Sequence, residues 1–216
     1  MALCFIFAFA VAMLSAVAPA LAATVNIDIA DTDGHPAGGA VISLEPQSPG
    51  TLPPSHLPLN AVIDQRHETF IPLVTIIRQD GQVVFTNNDT TMHQVYSFSP
   101  IKQFEFEIDQ GQKSQAVLFD KPGVASIGCN IHDQMITYVY VADTPWVVRT
   151  DANGHGVIDN VPDGAYRVSV WHPQLPPGHN APTTPLTVSS ASSKVSLVIP
   201  LVGAMPGMKH MHMGDY

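Results

Sequence analysis

Residues 122–141 have the sequence PGVASIGCNIHDQMITYVYV, in which two strand-like runs flank a short polar loop. The second run, 137–141, is made almost entirely of β-branched and aromatic residues, which favour extended backbone. The loop places Cys129, His132 and Met135 at intervals of three residues. This stretch therefore predicts two strands joined by a loop that carries a thiolate, an imidazole and a thioether.

A second histidine lies upstream, in the segment 85–95, FTNNDTTMHQV. It is His93, and it comes directly before another alternating run. Two imidazoles, one thiolate and a weak thioether are the ligand set of a blue-copper electron-transfer site. Zinc ranks behind copper because methionine is a poor zinc ligand. The alternative without a metal makes Cys129 a small buried hydrophobic residue and the histidines surface residues.

Alternating apolar and polar residues recur along the rest of the chain, and no long segment has helical periodicity. The 19 prolines and 15 glycines, together with Asn and Asp, separate the runs. These features predict an all-β protein built of sandwiches. The predicted strands are 25–29, 41–44, 74–77, 83–85, 94–98, 116–119, 122–127, 137–141, 166–171 and 194–199.

Composition narrows the range of functions. The chain has 216 residues, of which 45% are hydrophobic and 12% charged, and its formal net charge is −9. A disordered tail or a coiled coil is excluded by this balance. Nucleic acid and anionic membranes require a cationic face, so neither is an expected partner. A cationic partner fits the charge.

Residues 1–22 are apolar and uncharged, and they end in Ala20-Leu21-Ala22, the small-x-small pattern of a signal peptidase site. They predict a signal peptide and a periplasmic protein, with a membrane anchor as the alternative. No later stretch is apolar enough to span a bilayer, so no stable membrane insertion is expected after cleavage. Cleavage removes Cys4 and leaves Cys129 as a lone cysteine in an oxidising compartment, which favours a metal-bound thiolate.

Residues 61–143 resemble the cupredoxins. The pattern Cys-x-x-His-x-x-Met is similar to the short ligand loop of amicyanin, and the segment 85–95 is similar to plastocyanin. The resemblance implies a Greek-key β-sandwich with one type 1 copper. It also implies that His93, Cys129 and His132 are equatorial ligands and Met135 is axial. Gln94 departs from the asparagine common in this family, so the tie between the ligand loops is expected to differ.

A second resemblance involves both ends of the chain. The segments 31–41, 150–154 and 162–168 resemble the carboxypeptidase regulatory-like, transthyretin-like sandwich. We therefore predict that residues 23–60 and 144–204 form a second small transthyretin/Ig-like β-sandwich, with the cupredoxin domain, 61–143, inserted between them. The alternative is a continuous first domain followed by a separate C-terminal one.

The tail, residues 205–216, interleaves thioethers and imidazoles, a composition suited to copper capture. The alternative is an ordinary disordered end. Six residues in the tail are candidate secondary copper ligands: Met205, Met208, His210, Met211, His212 and Met213.

The function predicted from these features is single-electron transfer rather than enzymatic catalysis. No Gly-x-Ser-x-Gly elbow, P-loop or dinucleotide fingerprint occurs in the sequence. The expected partner is a c-type cytochrome or a copper oxidoreductase. One alternative is copper sequestration or delivery through the tail, as in copper resistance. Another is a metal-free module that binds carbohydrate or protein.

Overall fold

The computed structural model describes residues 22–176, 182–189 and 192–203. This part of the chain contains sixteen strands and no helix, so the all-β prediction is confirmed. No helix in it is long and apolar enough to cross a bilayer. The predicted signal peptide, apart from Ala22, and the tail 205–216 lie outside the described residues. The strands are β1 (Ala23–Asp31), β2 (Val41–Pro46), β3 (Asn60–Arg66), β4 (Thr69–Ile71), β5 (Val74–Arg78), β6 (Gly81–Asn87), β7 (His93–Ser99), β8 (Lys102–Ile108), β9 (Val117–Phe119), β10 (Gly123–Cys129), β11 (Ile136–Ala142), β12 (Val147–Arg149), β13 (His155–Val161), β14 (Gly164–Trp171), β15 (Thr183–Val188) and β16 (Ser193–Ile199).

Strands β3 to β11 form two sheets, with the orders β4-β3-β6-β9 and β5-β11-β10-β7-β8. Both sheets contribute to one buried apolar cluster, because alternate side chains along each strand face the opposite sheet. Phe70, Phe85 and Phe119 are the largest fully buried side chains of this cluster. Cys129 and Met135 belong to the same cluster, so the predicted metal loop is anchored in the core of this sandwich.

Strands β1 and β2 pair with strands from the other end of the chain. The sheets are β13-β1-β16 and β12-β2-β14-β15. Ile27 of β1 lies opposite Gly156 of β13 and, in the parallel direction, Val195 of β16. A sandwich built from both chain ends requires this pairing. The division of the chain into domains at residues 60 and 143 stays a prediction.

A third apolar cluster joins the two sets of sheets. Val41 of β2 is buried with Val74 of β5 and Tyr138 of β11. The ring of Trp171 in β14 lies 5.2 Å from that of Tyr138 and 6.2 Å from that of Tyr140. These contacts pack the five-stranded sheet against the sheet that contains β2 and β14. Burial in this cluster raises the pKa of Tyr138 to about 12.

Candidate metal centre

Two neighbouring strands bring the predicted ligands to one end of the five-stranded sheet. Strand β7 begins at His93 and strand β10 ends at Cys129, and the two strands are antiparallel, with Cys129 opposite Val95. The loop after Cys129 turns back into β11, and the N–H of Met135 donates to the carbonyl of His132 at 2.9 Å. Residues 36 positions apart in the sequence therefore meet at the start of one loop.

Three donor atoms converge in this loop. The Sγ of Cys129 lies 3.7 Å from Nδ1 of His93 and 4.0 Å from Nδ1 of His132. The two Nδ1 atoms are 3.3 Å apart, and the rings are inclined at 59°. Met135 is 3% exposed and packs in the same buried cluster as Cys129. The structure thus brings His93, Cys129 and His132 together, with Met135 buried in the cluster that anchors the loop.

The two imidazoles differ in burial. His93 is fully buried, whereas the side chain of His132 keeps 20% of its exposure. Burial lowers the pKa of His93, although the carboxylate of Asp89 acts in the opposite direction. A lowered pKa favours the neutral imidazole, the form that binds a metal.

Two carboxylates face the outer nitrogens of the imidazoles. Nε2 of His93 lies 3.3 Å from Oδ2 of Asp89, and Nε2 of His132 lies 3.6 Å from Oε1 of Glu68. Burial acts to raise the pKa of Asp89, but N–H groups of Glu68 and Thr90, together with His93, lower it below its ordinary value. Asp89 is therefore an ionised acceptor. Neither carboxylate was among the predicted site residues; the available signal was the position of Asp89, four residues before His93.

Buried Asn87 fixes the loop that leads to His93. Its Nδ2 donates to the carbonyls of Thr91 and Ile108 at 2.8 and 2.9 Å, and its Oδ1 accepts the N–H of Asp89 at 2.9 Å. The side chain is 1% exposed. The bonds to Ile108 and Asp89 are buried and the bond to Thr91 is partly buried, so the side chain of Asn87 restrains the loop at three points.

Gln94 and Asn130 tie the two ligand-bearing segments together. The N–H of Asn130 donates to the carbonyl of Gln94 at 3.0 Å. Both side-chain amides donate to the same oxygen, Oε1 of Glu105, at 2.9 and 3.1 Å. Gln94, the residue after His93, therefore helps to connect the two ligand-bearing segments, because its amide and that of Asn130 share one carboxylate on β8.

Comparison with known proteins gives matches in structure only. No protein-family model and no curated protein matches this sequence. Solved structures that match include cupredoxins. A purple cupredoxin from Nitrosopumilus maritimus is 22% identical over 38% of this chain and 99% of its own, with a TM-score of 0.35. Amicyanin from Paracoccus versutus is 17% identical over 46% of this chain and 97% of its own, with a TM-score of 0.35. A Cu-containing nitrite reductase from Thermus scotoductus is 22% identical over 46% of this chain and 25% of its own, with a TM-score of 0.36.

The donor chemistry of the group fits copper better than zinc. Its donor atoms from His93, Cys129 and His132 all lie within 4.8 Å of one another, and no fourth His, Cys, Asp or Glu belongs to the group among the described residues. A structural zinc site has four strong ligands, whereas a blue-copper site has two imidazoles, a thiolate and a weak axial group. A second acidic group, Asp31 with Asp33 and His35, is explained as a turn, because Oδ1 of Asp31 accepts the N–H groups of both other residues.

Proposed function

We propose that this protein is a periplasmic blue-copper protein that carries single electrons between redox partners. His93, Cys129, His132 and Met135 would hold one type 1 copper. The observation that carries the proposal is the convergence of two Nδ1 atoms and one Sγ on a shared, largely buried point. Copper bound there would supply a one-electron couple, with the thiolate and thioether favouring the reduced ion.

The hydrogen bonds around the site support electron transfer rather than storage. Asn87 fixes the approach to His93, and Glu105 links the segments of both ligand loops. A set of donors that is already fixed in place changes little when the charge of the metal changes. Such a site exchanges electrons with little rearrangement. A site that only stores metal does not need fixed donors of this kind.

The exposed edge of His132 is the proposed route for the electron. Its imidazole is the more exposed of the two. The exposed side chain of Glu68 lies beside it, and the exposed Asp133 follows it in the sequence. These carboxylates and the net charge of −9 favour a redox partner with a cationic surface, such as a c-type cytochrome or a copper oxidoreductase.

Copper loading of the mature chain tests the proposal. We expect one copper per chain by mass spectrometry and an intense visible band from a Cu–thiolate bond. Cys129→Ser, loaded in the same way, should lose the band, because a serine hydroxyl does not supply the thiolate charge transfer. A Cys129→Ser protein that kept the band would overturn the assignment.

The other outcomes of this experiment point to the rival functions. A colourless protein that binds copper would favour sequestration or delivery, and deletion of residues 205–216 would then abolish metal transfer. Electron transfer, in contrast, should survive that deletion. A chain that binds no copper would be a metal-free binding module.

A further inference from the structure

The turn between β3 and β4 has an unusual backbone for its sequence. Its two central residues, His67 and Glu68, have φ angles of +51° and +54°. Two consecutive left-handed residues form the type of hairpin turn in which Asn-Gly is strongly preferred, because side chains are strained there. Strain of this kind is retained where the surrounding structure requires it, often at functional sites.

Glu68 connects this turn to both imidazoles of the metal centre. Its N–H donates to Oδ2 of Asp89 at 2.6 Å, and the same Oδ2 lies 3.3 Å from Nε2 of His93. The carboxylate of Glu68 lies 3.6 Å from Nε2 of His132. The outer nitrogens of both rings therefore face carboxylates that one turn positions.

The contact of Asp89 with His93 is the stronger of the two. Asp89 is 9% exposed and His93 is fully buried, and Oδ1 of Asp89 also accepts the N–H of Thr90 at 2.9 Å. An ionised carboxylate only accepts hydrogen bonds, so it requires the proton of His93 to be on Nε2. The lone pair is then on Nδ1, which faces Cys129. Glu68 acts more weakly on His132, because its side chain is 62% exposed and the contact is longer than a hydrogen bond.

We propose that Asp89 and Glu68 form a carboxylate clamp that favours the Nε2–H tautomer of both imidazoles before any metal binds, strongly at His93 and weakly at His132. In this role they are positioning residues and not ligands. Once copper is bound, which rests on the proposed function, a carboxylate on the outer N–H makes each imidazole a stronger donor. A stronger donor favours Cu(II), so the clamp lowers the reduction potential.

The tautomers are measured on the metal-free protein by nitrogen-15 NMR of the imidazoles at a mildly alkaline pH. We expect Nε2–H for His93 and His132 in the wild-type chain. Asp89→Ala should abolish the preference at His93. Glu68→Gly should weaken it at His132 and preserve it at His93, because glycine keeps the backbone N–H that donates to Asp89. The melting temperature of Glu68→Gly should be no lower than that of the wild type, since glycine removes the strain at φ +54°.

Asp120→Ala is the matched control. Asp120 is an exposed carboxylate that follows β9, beside the beginning of β6, whereas the metal centre lies beyond the end of β6. Its removal should change neither tautomer. A wild-type His93 protonated on Nδ1, or an Asp89→Ala protein in which both rings stay Nε2–H, would overturn the clamp.

Asp89→Asn provides a second readout that does not depend on Asp89→Ala folding. The copper-loaded variant should have a higher reduction potential than the wild type, and Asp120→Ala should have the wild-type value. An unchanged potential in Asp89→Asn would contradict the clamp. If the wild-type chain showed no Cu–thiolate band, the proposed function would fail, and the metal-free tautomers would decide the clamp by themselves.

Discussion

His172 is buried like His93, but the backbone occupies both of its ring nitrogens. Its Nδ1 accepts the N–H of Gln174 and its Nε2 donates to the carbonyl of Gly38, each at 3.1 Å. Burial lowers the pKa of His172, although the Gly38 carbonyl acts in the opposite direction. With no free lone pair, this histidine is structural.

This burial makes the stability of the fold depend on pH. The pKa of His172 is lower in the folded state than its ordinary value of 6.5. As the pH falls, His172 is therefore protonated at a higher pH in the unfolded chain than in the folded one. The free energy of unfolding decreases as a result once the pH falls below about 6.5. We expect His172→Gln, which can donate and accept at the same places, to lose less stability than the wild type between about pH 7 and pH 5. Denaturant titrations of both metal-free proteins at each pH measure this, and parallel losses would contradict the assignment to His172.

Sequence reasoning at this scale named candidate ligands within one loop and also His93, 36 positions before Cys129. Cys129, His132 and Met135 are within one loop, where spacing alone indicates a ligand set. Glu68 contacts His132 across 64 positions of sequence, and only the strained turn after β3 places it there. No local pattern marks a glutamate in a hairpin turn as a neighbour of the candidate metal centre.

Two loops of nearly the same sequence show how a single element is built. In 31–35, DTDGH, and in 151–155, DANGH, the first aspartate accepts the N–H groups of the third and fifth residues. Gly34 and Gly154 take the left-handed conformation, with φ of +85° and +75°. The environments differ, because a Cβ on Gly154 would lie 2.2 Å from the carbonyl oxygen of Ile29, whereas one on Gly34 would meet no atom within 4 Å.

The two glycines therefore form a matched pair of substitutions. Gly34→Ala should cost about 1 kcal/mol, since only the left-handed backbone is strained. Gly154→Ala should cost about 2–4 kcal/mol, because the new methyl group also displaces β1, which pairs with β13 directly after this loop. The free energy of unfolding by denaturant measures both. Equal losses would show that the contact with Ile29 does not matter.

The loop before His93 allows a similar comparison. Asn87→Ala removes the partner that Asn87 supplies to the carbonyls of Ile108 and Thr91 and to the N–H of Asp89, so we expect a loss of about 2–4 kcal/mol. Asn88→Ala removes only an exposed bond to Asp64 and should cost less than about 1 kcal/mol. Thermal and denaturant unfolding check the stabilities, and copper titration should show weaker binding only for Asn87→Ala. Equal copper affinities would mean that the loop does not position His93.

The predicted strands correspond to ten of the sixteen strands in the described chain, and the missed ones share physical features. Strands β4 and β12 have only three residues each, too few to show a period. Strand β13 contains Asn160 in the left-handed region, and β15 contains Pro185 at the edge of its sheet. Strand β3 has the polar ends typical of loops. Strand β8, KQFEFEI, alternates clearly and could have been predicted.

At the scale of the whole molecule, Trp171 links the two sets of sheets. We expect Trp171→Ala to lower the free energy of unfolding by about 2–4 kcal/mol. This is somewhat less than the loss for a fully buried ring, because Trp171 is only partly buried. The pKa of Tyr138 should fall from about 12 toward 10, because exposure to water stabilises the phenolate. Absorbance titration with pH, compared with the same titration of Tyr138→Phe, measures this pKa. Phe98→Ala, at an aromatic side chain that is 69% exposed, is the control and should change neither quantity appreciably.

The order in which the strands are synthesised is not the order in which they can pair. Strands β3 to β11 find all their described ladder partners among themselves, whereas β1 waits for β13 and β16. As the chain emerges with its N-terminus first, the central strands can therefore close while β1 and β2 still present unpaired edges, which invite cleavage and aggregation. The last described strand completes the first, so a product cut short before Ser193 leaves β1 with an open edge. Pairing of β16 with β1 thus marks a chain that has emerged past its last described strand.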